Sequence, residues 1–262
     1  MAAEPNIKIE IRDLTMAYGS FVVMREISAK IRRGEIFIIM GGSGCGKSTL
    51  LRHMIGLKEP AQGDVLYDGV PFWKSDEPAR QERLRSFGVL FQGGALWSSM
   101  TLAENVALPL IEYTDWSASD LKDIIRLKLA LVGLSGFEDH YPAEISGGMR
   151  KRAGLARAMA LDPEILFFDE PSAGLDPITS RNLDQLILEL RDSLGATIVV
   201  VTHELASIFM IADDSIFLDA DTRTMRAQGN PNELLKHSTD AKLRAFLTRG
   251  EFSSQSPTRS AS

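Results

Sequence analysis

Three hydrophobic patterns follow one another along the chain, and each predicts a different element. Residues 7–11 alternate apolar and polar side chains, the period of a half-exposed strand. Further strands are predicted from Phe21 through Ile31 and over residues 64–69, and these three form a small antiparallel sheet. Residues 35–40, 165–168 and 197–202 are instead short, continuous apolar runs, which read as strands buried on both faces. Residues 87–92 make another strand, ending on Gln92.

The third pattern has helical spacing. Leu121, Ile124, Ile125, Leu129 and Val132 mark one helix, opened by Ser117 and Asp120, and Leu183, Leu186, Ile187, Leu190 and Leu194 mark another. The second of these starts at Asp176-Pro177 and stops at Gly195. Thr101 with Glu104 makes a capping box for a helix carrying Leu102, Val106 and Leu108, and residues 77–85 form a polar helix. Residues of about 95–150 therefore read as a helical subdomain inserted into an α/β core, which resumes where residues 145–149 open a helix from Arg150 to about Leu161. Residues 215–220 and 224–227 predict a terminal hairpin, followed by helices near 232–236 and 239–248. Residues 1–250 read as one domain, and the serine-rich residues 251–262 as a disordered tail.

Composition narrows the class. A chain of 262 residues with 44% hydrophobic and 24% charged residues can bury a substantial core. No apolar run approaches the roughly 18 residues of a spanning helix, and the first residues lack the pattern of a signal peptide. A cytoplasmic protein is expected, with any membrane contact passing through a partner. A formal net charge of −6 argues against a duplex nucleic-acid binder.

The chemistry starts at Gly41-Gly42-Ser43-Gly44-Cys45-Gly46-Lys47-Ser48, with Thr49 following, which fits the Gly-x4-Gly-Lys-Ser/Thr phosphate loop. A buried strand precedes it and a helix from Thr49 follows, the context this motif requires. Successive backbone N–H groups and a helix N-terminus cradle phosphate, Lys47 adds a full charge, and the Ser48 hydroxyl can hold Mg2+. The lone cysteine, Cys45, rules out an internal disulfide and is first a spacer in this loop. Its thiol, near a helix N-terminus, is expected to be reactive toward maleimide. Upstream, Tyr18 is either a flat partner for an adenine ring or a buried core residue.

Other polar residues complete a set at strand ends and turns: Gln92, Ser146 with Gly147 and Gly148, Asp169 with Glu170, Asp176, and His203. In this order and spacing they resemble the ABC-type ATPases, over about residues 7–229. The resemblance implies a P-loop NTPase core with a small antiparallel β subdomain and an inserted α-helical subdomain. It implies ATP and Mg2+ as ligands, Asp169 and Gln92 at the metal with Ser48, and Glu170 as the carboxylate that orients or deprotonates the attacking water. Gln92 resembles the residue that senses the helical subdomain, and His203 the switch histidine that donates to the γ-phosphate.

Ser146, Gly147 and Gly148 sit at a helix N-terminus and make a second anion cradle. In the family such a cradle faces the phosphate loop of another subunit, so a head-to-tail homodimer with ATP between the subunits is implied. Met149 stands where the family signature usually carries Gln. Ser-Gly-Gly-Met, residues 91–96 and residues 176–179 together resemble the Mce-associated, Mla-like ATPases of phospholipid transport. That resemblance implies an integral-membrane permease dimer, an Mce-domain lipid-binding protein, a small accessory protein, and a place on the cytoplasmic face of the inner membrane. The competing classes are a soluble ABC ATPase acting on nucleic acid or ribosomes, a transporter ATPase for another substrate, and a catalytically silent regulatory module. The first of these lacks its usual second cassette, coiled coil or basic surface here.

Overall fold

The computed structural model describes residues 6–249. In chain order the first elements are β1 (Ile7–Tyr18), β2 (Phe21–Arg32), β3 (Ile36–Gly41), α1 (Lys47–Met54), β4 (Gln62–Tyr67), β5 (Val70–Pro71), α2 (Glu77–Arg85) and β6 (Phe87–Leu90). Next come α3 (Leu102–Tyr113), α4 (Ala118–Leu131), α5 (Gly147–Ala158), β7 (Ile165–Asp169), α6 (Pro177–Leu194) and β8 (Thr197–Val201). The last are α7 (Leu205–Ile211), β9 (Asp214–Asp219), β10 (Thr224–Gln228), α8 (Pro231–His237) and α9 (Ala241–Leu247).

The alternating strands pair into a four-stranded antiparallel sheet of order β2-β1-β4-β5. The continuous apolar runs instead form a six-stranded sheet of order β10-β9-β3-β8-β7-β6, in which only β10 runs antiparallel to its neighbour. The reason for their unbroken hydrophobicity is visible in the packing. Ile36, Ile38, Met40, Leu166, Phe168, Ile198 and Val200 belong to one core, which includes residues of α3 to α7 and α9. Their alternate neighbours Phe37, Ile39, Ile165, Phe167, Val199 and Val201 belong to a second core, shared with α1 and the antiparallel sheet. A strand covered on both sides has no polar face to display.

Several caps follow the expected chemistry. Thr101 and Glu104 form the capping box of α3, Asp176 accepts from Ile178 N and Thr179 N at the start of α6, and Gly195 closes α6 in a left-handed conformation. Two boundaries differ from the sequence reading. Helix α1 begins at Lys47 rather than Thr49. Helix α5 begins at Gly147 and ends at Ala158, because the Ser146 hydroxyl accepts from Met149 N at 3.2 Å and so caps the two glycines into its first turn. The expected terminal hairpin is present as β9 and β10, and β9 also pairs with β3, which extends the central sheet. The expected tail, residues 251–262, lies outside the described residues. Among the described residues, no helix is long and apolar enough to cross a membrane.

Candidate active site

The parallel strands all deliver polar residues to one edge, their C-terminal ends, where open α/β sheets bind ligands. Register decides which residues meet. Ile39 pairs with Val201 and Asp169 with Val201, so the loop after β3, the acids at the end of β7, and His203 after β8 lie side by side. Leu90 pairs with Phe168, which brings Gln92 to the same edge. A cavity of about 820 Å³ opens there, lined by Tyr18, the loop residues Gly41 to Gly44 and Gly46 to Thr49, Gln92, Glu170 and His203.

The loop is shaped by backbone crowding. A Cβ at Gly41 would lie 2.5 Å from the Leu218 carbonyl oxygen of β9, so only glycine lets β9 come this close. Lys47 curls back and donates to the carbonyl oxygens of Gly41 and Gly42 at 3.0 Å each, which holds the loop around its ammonium. Ser48 Oγ donates to Asp169 Oδ1 at 2.8 Å, and Asp169 lies behind Ser48 rather than on the cavity wall.

Cys45 overturns an expectation. Its side chain is 1% exposed and packs into the second core beneath the loop, away from the cavity. Burial pushes the thiol pKa up, outweighing the opposing pull of Lys47. The thiol is a small apolar filler. A helix N-terminus favours a thiolate only where the sulfur can reach it and remain solvated.

Glu170, next after β7, is held in a constrained backbone conformation. Its backbone is left-handed, with φ 49°, and is held there by a bond from its own N–H to Val201 O and by one from Ala173 N to its carbonyl. Its Oε1 accepts from His203 Nδ1 at 2.8 Å, while Oε2 is buried with no hydrogen-bond partner among the described residues. A buried carboxylate oxygen lacking a donor is the group a positioned water would satisfy. The Glu170–His203 contact joins two residues that sequence analysis had assigned separately.

Tyr18 is 46% exposed and stands on the cavity wall, so it is not a core tyrosine. Lys58 Nζ sits 4.1 Å from its ring centroid, and a hydrogen bond with Thr49 leads the effects that lower its hydroxyl pKa. Phe21, Val23, Leu205, Ala245, Phe246 and Arg249 also line the cavity and were missed in the sequence. No motif marks them, since α9 reaches the site only through tertiary packing.

The donors present suit Mg2+, a hard cation that takes oxygen ligands and keeps several waters. Ser48 and Asp169 offer one hydroxyl and one carboxylate, and Gln92 lines the same cavity as Ser48. Among the described residues there is no cluster of three or more His, Cys, Asp or Glu of the kind an all-protein metal cage needs. Phosphate-bound Mg2+ does not require one.

A family model described as ABC transporter matches residues 24–173, more than half of the chain. The chain belongs to the ABC transporter family. Its fold is that of an ATP-binding, ATP-hydrolysing ABC cassette, whose ligands are ATP and Mg2+. It is 42% identical over 241 residues to "Probable ribonucleotide transport ATP-binding protein mkl" of Mycobacterium tuberculosis (strain ATCC 25618 / H37Rv), covering 92% of this chain and 66% of that one. The chain thus spans just under two thirds of that relative's length. It is 38% identical over 243 residues to "Intermembrane phospholipid transport system ATP-binding protein MlaF" of Haemophilus influenzae, covering 93% of this chain and 90% of that one. Among solved structures, cbiO1 from Clostridium perfringens, part of the ABC transporter complex cbiONQ, superposes with a TM-score of 0.81 at 26% identity, over 88% of this chain and 92% of that one. The dimeric cassette MJ0796 bound to ADP and Pi does so with a TM-score of 0.75 at 29% identity, over 85% of this chain and 98% of that one.

Within this ABC cassette, Ser146, Gly147 and Gly148 stand apart from the cavity. Ser146 and Gly147 are exposed at the start of α5, and Met149 packs its side chain partly against the first core. Further along, α5 is bound tightly to the loop after β6. Arg157 donates to the carbonyl oxygens of Gly94 at 3.0 Å and Ala95 at 2.9 Å. A Cβ at Gly94 would lie 2.9 Å from Arg150 O, and one at Gly154 2.9 Å from Gly94 O.

Proposed function

We propose that this chain is the ATP-hydrolysing subunit of a bacterial ABC transporter that moves phospholipid between the inner and outer membranes in an Mce/Mla-type system. Hydrolysis is carried by the buried Oε2 of Glu170, which has no hydrogen-bond partner among the described residues and would accept the proton of the attacking water while His203 holds Oε1. Lys47 and the loop from Gly41 to Thr49 take the phosphates, and Tyr18 offers a ring face to adenine. When bound, Mg2+ would neutralise the phosphate charge between Ser48, Asp169 and Gln92. Ser146, Gly147 and Gly148 would complete the site of a second copy in a head-to-tail dimer.

Residues 1–250 act in this reading as one ATPase domain, with the helical subdomain of about 95–150 turning toward the membrane partner. That partner is a permease dimer, with an Mce-domain lipid-binding protein and a small accessory protein, at the cytoplasmic face of the inner membrane. The phospholipid assignment rests on the Haemophilus relative, which aligns over 90% of its own length. The mycobacterial relatives, named for ribonucleotide transport, favour a second reading with another cargo.

The test is the transporter purified with its partners and reconstituted in liposomes, as wild type and as Glu170→Gln. Labelled phospholipid should move between bilayers only with ATP. The variant should keep ATP binding, lose turnover by about a thousandfold, and accumulate as an ATP-bound dimer. Uptake of a ribonucleotide with static lipid would overturn the cargo, and equal dimerisation of variant and wild type would overturn the role of Glu170.

A further inference from the structure

We propose that Arg249 and Glu204 are positioning residues for His203, so that helix α9 takes part in setting the rate of ATP hydrolysis. This rests on the reading of Glu170 and His203 as the hydrolytic pair.

Each ring nitrogen of His203 faces a carboxylate. Nδ1 donates to Glu170 Oε1 at 2.8 Å, which leaves Nε2 as the ring's only remaining polar atom. Glu204 Oε1 stands 3.7 Å from that Nε2, close enough for charge to act but beyond a hydrogen bond. Were Glu204 to close this gap on the doubly protonated ring, it would accept from Nε2 and add negative charge beside the phosphates that Lys47 gathers. Two carboxylates on one imidazole would hold it away from substrate.

Arg249 acts against that outcome. Its Nη2 lies 3.7 Å from Glu204 Oε2, the oxygen turned away from the histidine. The guanidinium draws Glu204 off the ring and offsets its charge. Arg249 itself lines the cavity, next to Phe246 and Leu205.

The mounting of Arg249 is firm enough for this role. Asp240 caps α9 by accepting from Lys242 N at 2.9 Å and Leu243 N at 3.0 Å. Lys242 bonds Asp219 and Asp221, and Arg226 ties Asp240 and Asp219 together. Phe246 packs at a tilt of 43° against Phe217 with centroids 5.2 Å apart, and Leu243 and Leu247 are buried. Asp219 ends β9, the strand that crowds Gly41. Helix α9 is thus pinned to the wall of the phosphate loop, and Arg249 follows directly from it.

The experiment is steady-state MgATP hydrolysis by the full-length chain, with kcat and KM measured for six forms: wild type, Arg249→Ala, Arg249→Lys, Glu204→Gln, the Arg249→Ala/Glu204→Gln double variant, and His203→Ala. Arg249→Ala should lower kcat about fivefold, the rate equivalent of an exposed ion pair, with KM unchanged. Arg249→Lys should recover most of it. The double variant should return to the kcat of Glu204→Gln, because the carboxylate that Arg249 restrains is gone. An Arg249→Ala kcat equal to wild type, a double variant as slow as Arg249→Ala, or a raised KM at unchanged kcat would each overturn the proposal. His203→Ala separates the two readings. If it turns over like wild type, the hydrolytic pair itself is wrong; if it is inactive while the double variant shows no rescue, only the role of Arg249 and Glu204 fails.

Discussion

Glu170 and Cys45 show how one backbone turn decides chemistry. A left-handed backbone at a side-chain-bearing residue costs of the order of 1 kcal/mol, and at Glu170 it aims the carboxylate at His203. At Cys45 the loop turns the thiol inward instead. Saturating maleimide is therefore expected to leave ATPase activity within about twofold of untreated protein, with no labelling by mass spectrometry until denaturant is added. Rapid labelling of native protein with loss of activity would contradict the buried thiol. Lys47, Ser48 and Asp169 were legible in the sequence because a phosphate loop and an acid-terminated strand are local patterns. Arg249 and Glu204 were not, because their meeting depends on how α9 docks.

Among the elements, α6 and α7 share a buried carboxylate. Asp184 on α6 is 2% exposed and accepts from Ser207 Oγ of α7 at 2.7 Å, and its Oδ1 has no partner among the described residues. Burial pushes its pKa up to about 6. The folded chain therefore keeps this proton where the unfolded chain has lost it. Its contribution to stability is fully present below about pH 4, declines as pH rises through about 6, and is gone above, a swing on the order of 2–3 kcal/mol. Asp184→Asn should raise Tm by a few degrees at pH 8 and give almost no gain at pH 3.5, read by thermal unfolding at both values. An equal gain at both would show that the charge is not the cause. The caps and apolar stripe of α6 were plain in the sequence, whereas the partner across from Asp184 was not, since a polar position on a helix does not state which neighbour it faces. The place of β9 beside β3 was hidden for the same reason: a hairpin pattern does not reveal which sheet it joins.

At the scale of the whole molecule, two candidate anion cradles stand apart on one chain, at Gly41 to Ser48 and at Ser146 to Gly148. If ATP lies between copies, defects in the two cradles must complement. Lys47→Ala and Ser146→Arg chains should each be nearly inactive, and an equal mixture should regain about a quarter of wild-type turnover, because half of the dimers carry one intact site of two. A mixture no more active than its parts would refute the shared site. The second cradle was readable as a sequence motif, but its distance from the first was not. One contact carries a mechanical consequence beyond binding. Gly94 and Gly154 bring the loop after Gln92 and helix α5 together backbone against backbone, with Arg157 fastened across the joint. Such close backbone contact leaves no room for a Cβ, so Gly94→Ala or Gly154→Ala would have to push α5 and the loop after Gln92 apart.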